Sequence, residues 1–432
     1  MVRDRRQFLA KRPVHTDGYR LNHRYTCHVV MDSVGPVSRP SWPTVGFEKR
    51  AWSSDTDTGQ SRRASLRSRG PYQASIPPEI ATLALPSLTA DTSNAAEDAI
   101  LELGRFDGEV GTIAAPFSAI LLRSESAASS EIEQLTASAN SVALAELGRQ
   151  SVPNSRLIVG NVRAMQAAID MADDLGASTI LAMQSEILRD EQPEHTGSWR
   201  TQQVWIGGGF GNSPHTASFV PPHHDRVASL MDDLVKFARR TDLPALPQIA
   251  IAHAQFETVH PFPDGNGRTG RALVQAMLRR LGVTRNVTVP VSAGLLRDTR
   301  GYFDALSEYR MGDVEPIILA FARASFDAVV NGRELVAELT RIRSRWDDAT
   351  SARVGSAGRR LLEVLQRQPV VDANLAAREL DVDARNAQNG IDRLVNDGIL
   401  TQFGGGARNR AYEAHEVLAA LDAFAVRAKR RR

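Results

Sequence analysis

The sequence predicts a mainly α-helical fold, and two observations support this prediction. Long Ala- and Leu-rich segments with apolar residues at helical spacing begin after Pro77, for example at 95–106, 143–147 and 163–175. Segments with the alternating apolar and polar pattern of a strand are few in comparison. The chain has 432 residues, of which 42% are hydrophobic and 24% charged, and this is enough for about three folding units with buried cores.

The first 75 residues differ from the rest of the chain in composition. They are rich in Arg, Ser, Pro and Thr and carry neither a helical nor a strand period, which predicts an irregular basic arm over residues 1–75. Met31 stands before a proline-containing run at 36–43. One interpretation is that translation begins at Met31, and residues 1–30 would then be an artefact of start-site choice.

Composition excludes several classes of protein. A formal net charge of +2 does not describe a polycation that coats nucleic acid or an anionic membrane. The single cysteine, Cys27, excludes an intramolecular disulfide framework and a zinc site built from clustered cysteines. No run approaches the ~18 apolar residues that span a bilayer, and the basic start lacks the apolar run of a secretory signal. We therefore expect a cytoplasmic protein with no membrane partner.

The helical pattern after the arm divides into a region at 76–180 and a second unit at 181–350. Within the second unit, residues 203–206 and 217–220 have the composition of short strands, and a glycine-rich stretch joins them. Two short strands with such a connection predict a β-hairpin. A hairpin in an otherwise helical protein indicates a functional element.

Small polar residues at 351–358 predict a linker before a separate C-terminal unit at 356–432. This unit has the pattern of three short helices followed by two strands, which is the order of a winged helix-turn-helix. The helices fall at 361–365, 375–380 and 384–395, and the strands at 398–401 and 410–413.

A winged helix predicts DNA as a partner of the C-terminal unit. The candidate DNA contacts are the polar and basic residues of its third helix and wing, namely Arg385, Asn386, Asn389, Arg408 and Arg410. Asp392 and Asp397 lie among them and weaken the attraction to phosphates. Dimerisation or target recruitment by this unit is an equal alternative, because a fold does not fix a function.

Residues 260–271, with the sequence HPFPDGNGRTGR, are the most informative window of the chain. Apolar residues at helical spacing lead up to His260, and the two prolines that follow stop the helix. Gly265 and Gly267 allow backbone angles that most residues avoid, so several N–H groups can point to one spot where the next helix begins. The window therefore predicts a phosphate-binding turn at the N-terminus of a helix.

The side chains of this window fit the transfer of a phosphorus group from a nucleotide to a hydroxyl. Arg268 and Arg271 are spaced i,i+3, so both reach a polyphosphate from one face of the first turn. Asp264 supplies the carboxylate oxygen that Mg²⁺ prefers. His260, whose ordinary pKa is about 6.5, is mostly neutral near pH 7 and accepts a hydroxyl proton.

The window resembles the signature of Fic proteins, H-x-F-x-[D/E]-G-N-G-R-x-x-R, and every specified position is filled. The resemblance implies a Fic-type helical bundle with a β-hairpin flap, and transfer of AMP from ATP to a Ser, Thr or Tyr of a target protein. It also implies a role for each residue of the motif. These are His260 as general base, Asp264 as Mg²⁺ ligand, Gly265, Asn266 and Gly267 as the α/β-phosphate anchor, Arg268 and Arg271 as β- and γ-phosphate contacts, and Phe262 as a core anchor. Related Doc toxins, which phosphorylate, have lysine at the position of Gly267, so glycine here favours nucleotide transfer.

The resemblance covers most of residues 42–340. Residues 199–222 resemble the flap, whose edge pairs with an extended target segment in the family, and the implied docking residues are Ile206, Phe219 and Val220. Tyr302 lies in a segment that resembles the helix lining the adenine pocket. Ordinary core packing is the alternative for Tyr302.

Residues 129–134, SSEIEQ, resemble the inhibitory motif [S/T]-x-x-x-E-[G/N] of the same family. The resemblance implies that Ser129 and Glu133 form this motif and that Glu133 pairs with Arg271 and displaces the ATP γ-phosphate. Gln134 departs from the usual Gly or Asn at the position that sets the backbone geometry after Glu133. The alternative for Glu133 is a solvated helix residue. In some relatives the same glutamate also supports the removal of AMP.

Other interpretations stay open at this point. The spacing of Gly265, Gly267 and Gly270 also fits a dinucleotide-binding pattern, but that pattern must follow a strand and here it follows a helix. His253, Glu257 and His260 share a helical face and suggest a zinc site without an evident fourth ligand. The alternative functions are a DNA-binding regulator with a nucleotide-sensing Fic domain, and a Fic enzyme with another donor. A homodimer is a further expectation.

Overall fold

The apolar stripes of residues 90–349 fold into helices that bury them against one another. The computed structural model describes residues 42–52, 70–113, 116–149, 152–207, 213–403 and 410–430. Its first eight helices are α1 (Ala90–Ile113), α2 (Pro116–Ile132), α3 (Ala139–Glu146), α4 (Pro153–Asp170), α5 (Ala177–Leu188), α6 (Val227–Ala238), α7 (Ala245–Val259) and α8 (Asn266–Arg280). The others are α9 (Val291–Leu296), α10 (Thr299–Arg310), α11 (Glu315–Ala349), α12 (Ala357–Arg367), α13 (Ala373–Leu380), α14 (Ala384–Asn396) and α15 (His415–Lys429). The prediction of a mainly helical protein is confirmed.

Helices α7 and α8 lie at the centre of the core. Every residue of α7 from Leu246 to Val259 is buried, polar ones included, because the helix packs against α1, α6, α8, α10 and α11. The 35-residue helix α11 runs past α7, α9 and α10 and closes this core. A functional group at the end of α7 is therefore held by rigid neighbours.

Residues 42–52 and 70–76 form structure where the sequence predicts an irregular arm, so that prediction is wrong for them. β1 (Gly46–Arg50) pairs antiparallel with β2 (Tyr72–Ile76), and Trp42 is 3% exposed against Phe237 and Tyr309. The physical reason is a short alternation, in which Tyr72 and Ala74 are buried on either side of an exposed residue. Residues 1–41 lie outside the described residues, as do most of those between the two strands.

The predicted β-hairpin is present as an antiparallel bridge between Ile206 and Phe219. The Ile206 N–H donates to the Phe219 carbonyl at 2.8 Å, and the Ser218 N–H donates to the Ile206 carbonyl at 2.9 Å. The glycine-rich connection at 208–212 lies outside the described residues. One residue further along, the Val220 carbonyl accepts a hydrogen bond from the Ser75 N–H of β2 at 3.0 Å.

The C-terminal region contains the predicted three helices followed by two strands. β3 (Val370–Val371), β4 (Thr401–Phe403) and β5 (Ala411–Glu413) form an antiparallel sheet in the order β3-β5-β4. The sequence analysis missed β3, which is two residues long, and the last helix, α15. Helices α12 and α15 pack against α2, and within the described part of the chain this region and the helical bundle form one compact unit. Its identification as a winged helix-turn-helix remains a prediction.

Across the described ranges, no helix combines the length and the apolar character that crossing a lipid bilayer requires.

Candidate active site

The turn between α7 and α8 brings the predicted base and the predicted phosphate-binding glycines together. His260 is the C-cap of α7, with φ 50° and ψ 63°, a left-handed conformation that costs a non-glycine residue about 1–2 kcal/mol. The buried Arg200 stabilises this turn, because its Nε donates to the His260 carbonyl and its Nη2 donates to the Pro222 carbonyl. The predicted base therefore projects from a turn that a buried guanidinium holds in place.

Asn266 stabilises the same turn from its other side. Its side-chain oxygen accepts from the Phe262 N–H at 2.9 Å, and its side-chain nitrogen donates to the Phe262 carbonyl at 2.8 Å. Gly265 precedes it with φ 80°, a conformation that glycine adopts at little cost. Both polar atoms of the Asn266 side chain are thus used to hold the loop. Of the predicted phosphate-binding groups, the N–H groups at the start of α8 are the ones that remain.

The imidazole of His260 is neutral in this environment. Its side chain is about one-fifth exposed, and burial, followed by the charges of Arg200 and Arg310, lowers its pKa to about 3. Glu257 lies one turn earlier, with an oxygen 3.9 Å from Nδ1. The Nδ1 atom is buried without a hydrogen-bond partner, and the neutral ring is the form that accepts a proton from a hydroxyl.

Glu133 meets both arginines of the motif. Its Oε1 accepts from Arg271 Nη2 at 2.7 Å, and its Oε2 accepts from Arg268 Nε at 3.2 Å. The side chains of Arg268 and Arg271 are 2% and 3% exposed, so both guanidiniums are desolvated and the carboxylate partly neutralises them. A Cβ placed on Gly267 would overlap the Glu133 carboxylate, so the glycine also makes room for this contact.

Ser129 adds two further hydrogen bonds to Arg271. The Arg271 Nε donates to the Ser129 hydroxyl at 2.9 Å, and Nη2 donates to the Ser129 carbonyl at 2.7 Å. Glu133 lies one residue beyond the end of α2, and the next residue, Gln134, has φ 64°. This is the backbone conformation that glycine and asparagine favour, so Gln134 follows the geometry of the motif despite its different side chain.

Asp264 stands at the entrance of the turn with its side chain about half exposed. Its Oδ1 accepts from the Gly265 N–H at 2.6 Å and lies 3.5 Å from Arg268 Nη2. Of the residues that the structure describes, no three His, Cys, Asp or Glu side chains are grouped so as to hold a metal ion. An exposed carboxylate fits Mg²⁺ only where phosphates and water complete the coordination shell.

Tyr302 lies in the core. Its side chain is 2% exposed, and its hydroxyl is 2.7 Å from Nε2 of the buried His253. This burial favours core packing over adenine contact as its role. His253 has Tyr302 as its partner, and with Glu257 and His260 it forms no group suited to zinc.

The three flap residues have different surroundings. Ile206 and Phe219 are partly exposed, and the Phe219 ring covers the guanidinium of Arg310 at 3.8 Å. Val220 is 8% exposed and already pairs with Ser75. The Val220 carbonyl is therefore already paired within the protein, and the backbone of Ile206 is paired with Phe219.

The candidate DNA contacts lie on the surface of the C-terminal region. Arg385, Asn386 and Asn389 are exposed on α14, and the Asn386 amide donates to Asp383 at 2.6 Å. Arg410 is exposed next to β5. Arg408 lies outside the described residues, so its position carries no information here.

The sequence analysis missed three residues that shape the site. Arg200 holds the His260 turn, Arg310 adds positive charge near the imidazole, and Glu125 accepts hydrogen bonds from Ser292 and Gln275 inside the core. Glu125 lies two turns before Glu133 on α2, and burial raises its pKa to about 7. The same helix also contains Arg123 and Glu131, so no signal in the sequence distinguishes Glu125.

Residues 174–278 match the Fic/DOC family model. Protein adenylyltransferase fic-1 of Caenorhabditis briggsae is 29% identical to this chain over 203 residues, which are 42% of this chain and 36% of the relative. The Caenorhabditis elegans protein of the same name is 30% identical over 157 residues, which are 35% of this chain and 28% of that relative. The chain thus spans about a third of the length of these curated relatives. A solved Fic family protein from Desulfovibrio desulfuricans G20 is 21% identical with a TM-score of 0.46, covering 76% of this chain and 97% of that one. The turn that joins α7 to α8 lies inside residues 174–278, the part of the chain that is similar to Fic/DOC proteins.

Proposed function

We propose that this protein is an adenylyltransferase that transfers AMP from ATP to a Ser, Thr or Tyr hydroxyl of a target protein. One observation carries the proposal: a neutral histidine at the end of α7 lies across a five-residue turn from the N-terminus of α8, which carries two buried arginines. The names of the curated relatives support the same activity. The target protein is left open.

In the proposed reaction, His260 accepts the proton of the target hydroxyl as its oxygen attacks the α-phosphorus of ATP. The new oxygen–phosphorus bond forms while the bond between the α-phosphorus and the bridging oxygen breaks, and pyrophosphate leaves. The N–H groups that open α8 and the guanidiniums of Arg268 and Arg271 would bind the charge on the phosphates. The fixed turn supplies orientation, because base and phosphate-binding groups belong to adjoining helix ends.

Asp264 would hold Mg²⁺ together with the ATP phosphates. Its exposed carboxylate fits a cation that usually keeps several water or phosphate ligands. The metal would supply charge neutralisation on the β- and γ-phosphates. The chain's own contribution is to keep Asp264 beside the turn, through the hydrogen bond from the Gly265 N–H.

We further propose that the contact between Glu133 and the two arginines is inhibitory. A triphosphate would need the same guanidinium groups, and the carboxylate is held there by 2.7 Å and 3.2 Å hydrogen bonds. Two anions cannot share these arginines without repulsion. Release of Glu133 would therefore free the place of the γ-phosphate.

The test compares intact masses after incubation with ATP and Mg²⁺. We expect the Glu133→Gly variant to gain the mass of AMP by self-modification, and the wild type to gain much less. In the Glu133→Gly background, His260→Asn and His260→Ala should abolish the gain while ATP still binds in calorimetry. Asn tolerates the left-handed backbone of residue 260, so it separates loss of the base from damage to the turn. Labelling that persists in both His260 variants would overturn the assignment of the base.

A further inference from the structure

A cavity of about 320 Å³ lies between α2, α15 and the segment at 135–139. We call it the α2–α15 cavity. Its lining is mostly small or aliphatic, with alanines on both helices that leave space between them. The lining includes Ala127 on α2, Leu135 and Thr136 after it, and Leu421, Phe424 and Ala425 on α15. Its volume lies at the lower end of the range for small-molecule sites, which is roughly 300–1,000 Å³.

The charged groups at the edge of this cavity are paired within the protein. Lys429 of α15 bonds Glu131 of α2, and Arg123 bonds Glu146 at 2.8 Å. Asp422 accepts a hydrogen bond from the Ala139 N–H at 3.1 Å. An anionic ligand would lose its hydration without gaining a free cation, and a cationic ligand would meet only Asp422, whose carboxylate already accepts the Ala139 hydrogen bond. Both are costly in a mostly apolar cavity. The cavity is therefore suited to an uncharged apolar molecule.

One wall of the cavity is the chain that positions Glu133. Leu135 and Thr136 line the cavity, and the Leu135 N–H donates to the Ser130 carbonyl at 3.1 Å. Between them and the end of α2 stand only Glu133, whose carboxylate bonds Arg271, and Gln134 in its left-handed conformation. Glu133 does not itself line the cavity. A molecule in the cavity would therefore contact the segment that fixes this carboxylate.

We propose that the α2–α15 cavity binds a small uncharged apolar molecule, and that its occupancy stabilises the arrangement in which Glu133 bonds Arg271. A molecule that contacts Leu135 and Thr136 would stabilise that arrangement to the extent that it binds this position of the segment more tightly than a displaced one. The regulatory half of this proposal rests on the proposed inhibitory role of Glu133. The binding half stands on the cavity alone.

The binding half is tested with the neutral fluorescent probe N-phenyl-1-naphthylamine on the full chain. We expect a saturable rise in fluorescence that Ala127→Phe and Ala425→Phe each weaken at least tenfold, because the new rings occupy the cavity. Ala423→Phe is the matched control, since Ala423 is exposed on the same helix and does not line the cavity. Thermal unfolding confirms that each variant is folded. No saturable signal, or equal binding by all three variants, would overturn the proposal, as would preferential binding of the anionic probe anilinonaphthalene sulfonate.

The regulatory half is tested by thermodynamic reciprocity. If the probe stabilises the Glu133 contact, removal of that contact must weaken probe binding, and couplings of this kind usually amount to about 5- to 150-fold. We expect Glu133→Ala to raise the dissociation constant of the probe at least fivefold, and Glu109→Ala, at an exposed ion pair, to leave it unchanged. Equal affinity in wild type and Glu133→Ala would overturn the coupling. Neither measurement uses AMP transfer, so failure of the proposed enzyme activity is seen separately.

Discussion

Replacement of Glu133 by glutamine tests the balance of charge at the candidate site. The change keeps the shape of the side chain but removes the negative charge that faces Arg268 and Arg271, both almost fully buried. Breaking a buried ion pair from one side costs roughly 3–5 kcal/mol. Because the Glu133 side chain is 28% exposed, water replaces part of the lost interaction, and we expect unfolding to become easier by about 2–3 kcal/mol.

The same variant should respond more strongly to ATP than the wild type does. The polyphosphate would replace the missing charge on both arginines, whereas in the wild type it must displace Glu133. At a ligand concentration 100 times the dissociation constant, binding adds about 2.7 kcal/mol to stability. We therefore expect ATP with Mg²⁺ to recover most of the stability that Glu133→Gln loses.

Urea denaturation with and without ATP measures both effects. Glu109→Gln is the control, because Glu109 pairs with Arg333 at the surface with half of its side chain exposed, and such pairs contribute about 0–1 kcal/mol. Unchanged stability of Glu133→Gln would refute the argument from burial. Equal stabilisation of wild type and variant by ATP would show that Glu133 and the polyphosphate do not compete.

Three further changes have expected outcomes of their own. Asn266→Ala removes two hydrogen bonds to Phe262 and should lower the free energy of unfolding by about 2–3 kcal/mol in urea. Asn266→Asp keeps the acceptor but turns a carboxylate oxygen toward the Phe262 carbonyl in a buried site, so it should cost at least as much. Burial raises the pKa of Glu125 from 4.5 to about 7, so its contribution to stability should be present below pH 4.5 and lost as pH rises to 7, by about 3 kcal/mol. Glu125→Gln removes this dependence of stability on pH. The difference in free energy of unfolding between variant and wild type, measured at pH 5 and at pH 8, separates the effect of Glu125 from that of other titrating groups. An equal difference at both pH values would contradict the raised pKa. Gln134→Gly should stabilise the fold by up to about 1 kcal/mol, because φ is 64° there, and Gln134→Ala, which keeps the strain, should not.

The sequence carried much of the information about the candidate site because its parts are adjacent in the chain. His260 ends α7 and Gly265 opens α8 within six positions, so local rules for helix ends were enough to place base and phosphate-binding turn together. The partnership of Glu133 with Arg271, 138 positions apart, came only from the resemblance of residues 129–134 to a known motif. Nothing in spacing or periodicity would have indicated it.

Contacts between distant segments account for what the sequence analysis missed. β1 and β2 are five residues each and show alternation over too short a span to be recognised. Arg200 contacts the turn 60 positions later in the chain. Tyr302 is buried and its hydroxyl pairs with His253 on another helix. These placements follow from tertiary packing, which local patterns do not contain.

One face of α2 carries polar side chains at intervals of four residues. They are Glu125 and Ser129 within the helix and Glu133 one residue beyond its end. Glu125 is anchored deep in the bundle by Ser292 and Gln275, whereas Glu133 lies in the turn that follows α2, where the N–H groups of Glu133 and Leu135 both donate to the Ser130 carbonyl. Separation of Glu133 from Arg268 and Arg271 would then require only this last turn to unfold, while the rest of α2 stays packed in the bundle. Such a fraying involves few residues, so its equilibrium can be reset by one or two substitutions near the tip without rebuilding the protein around it.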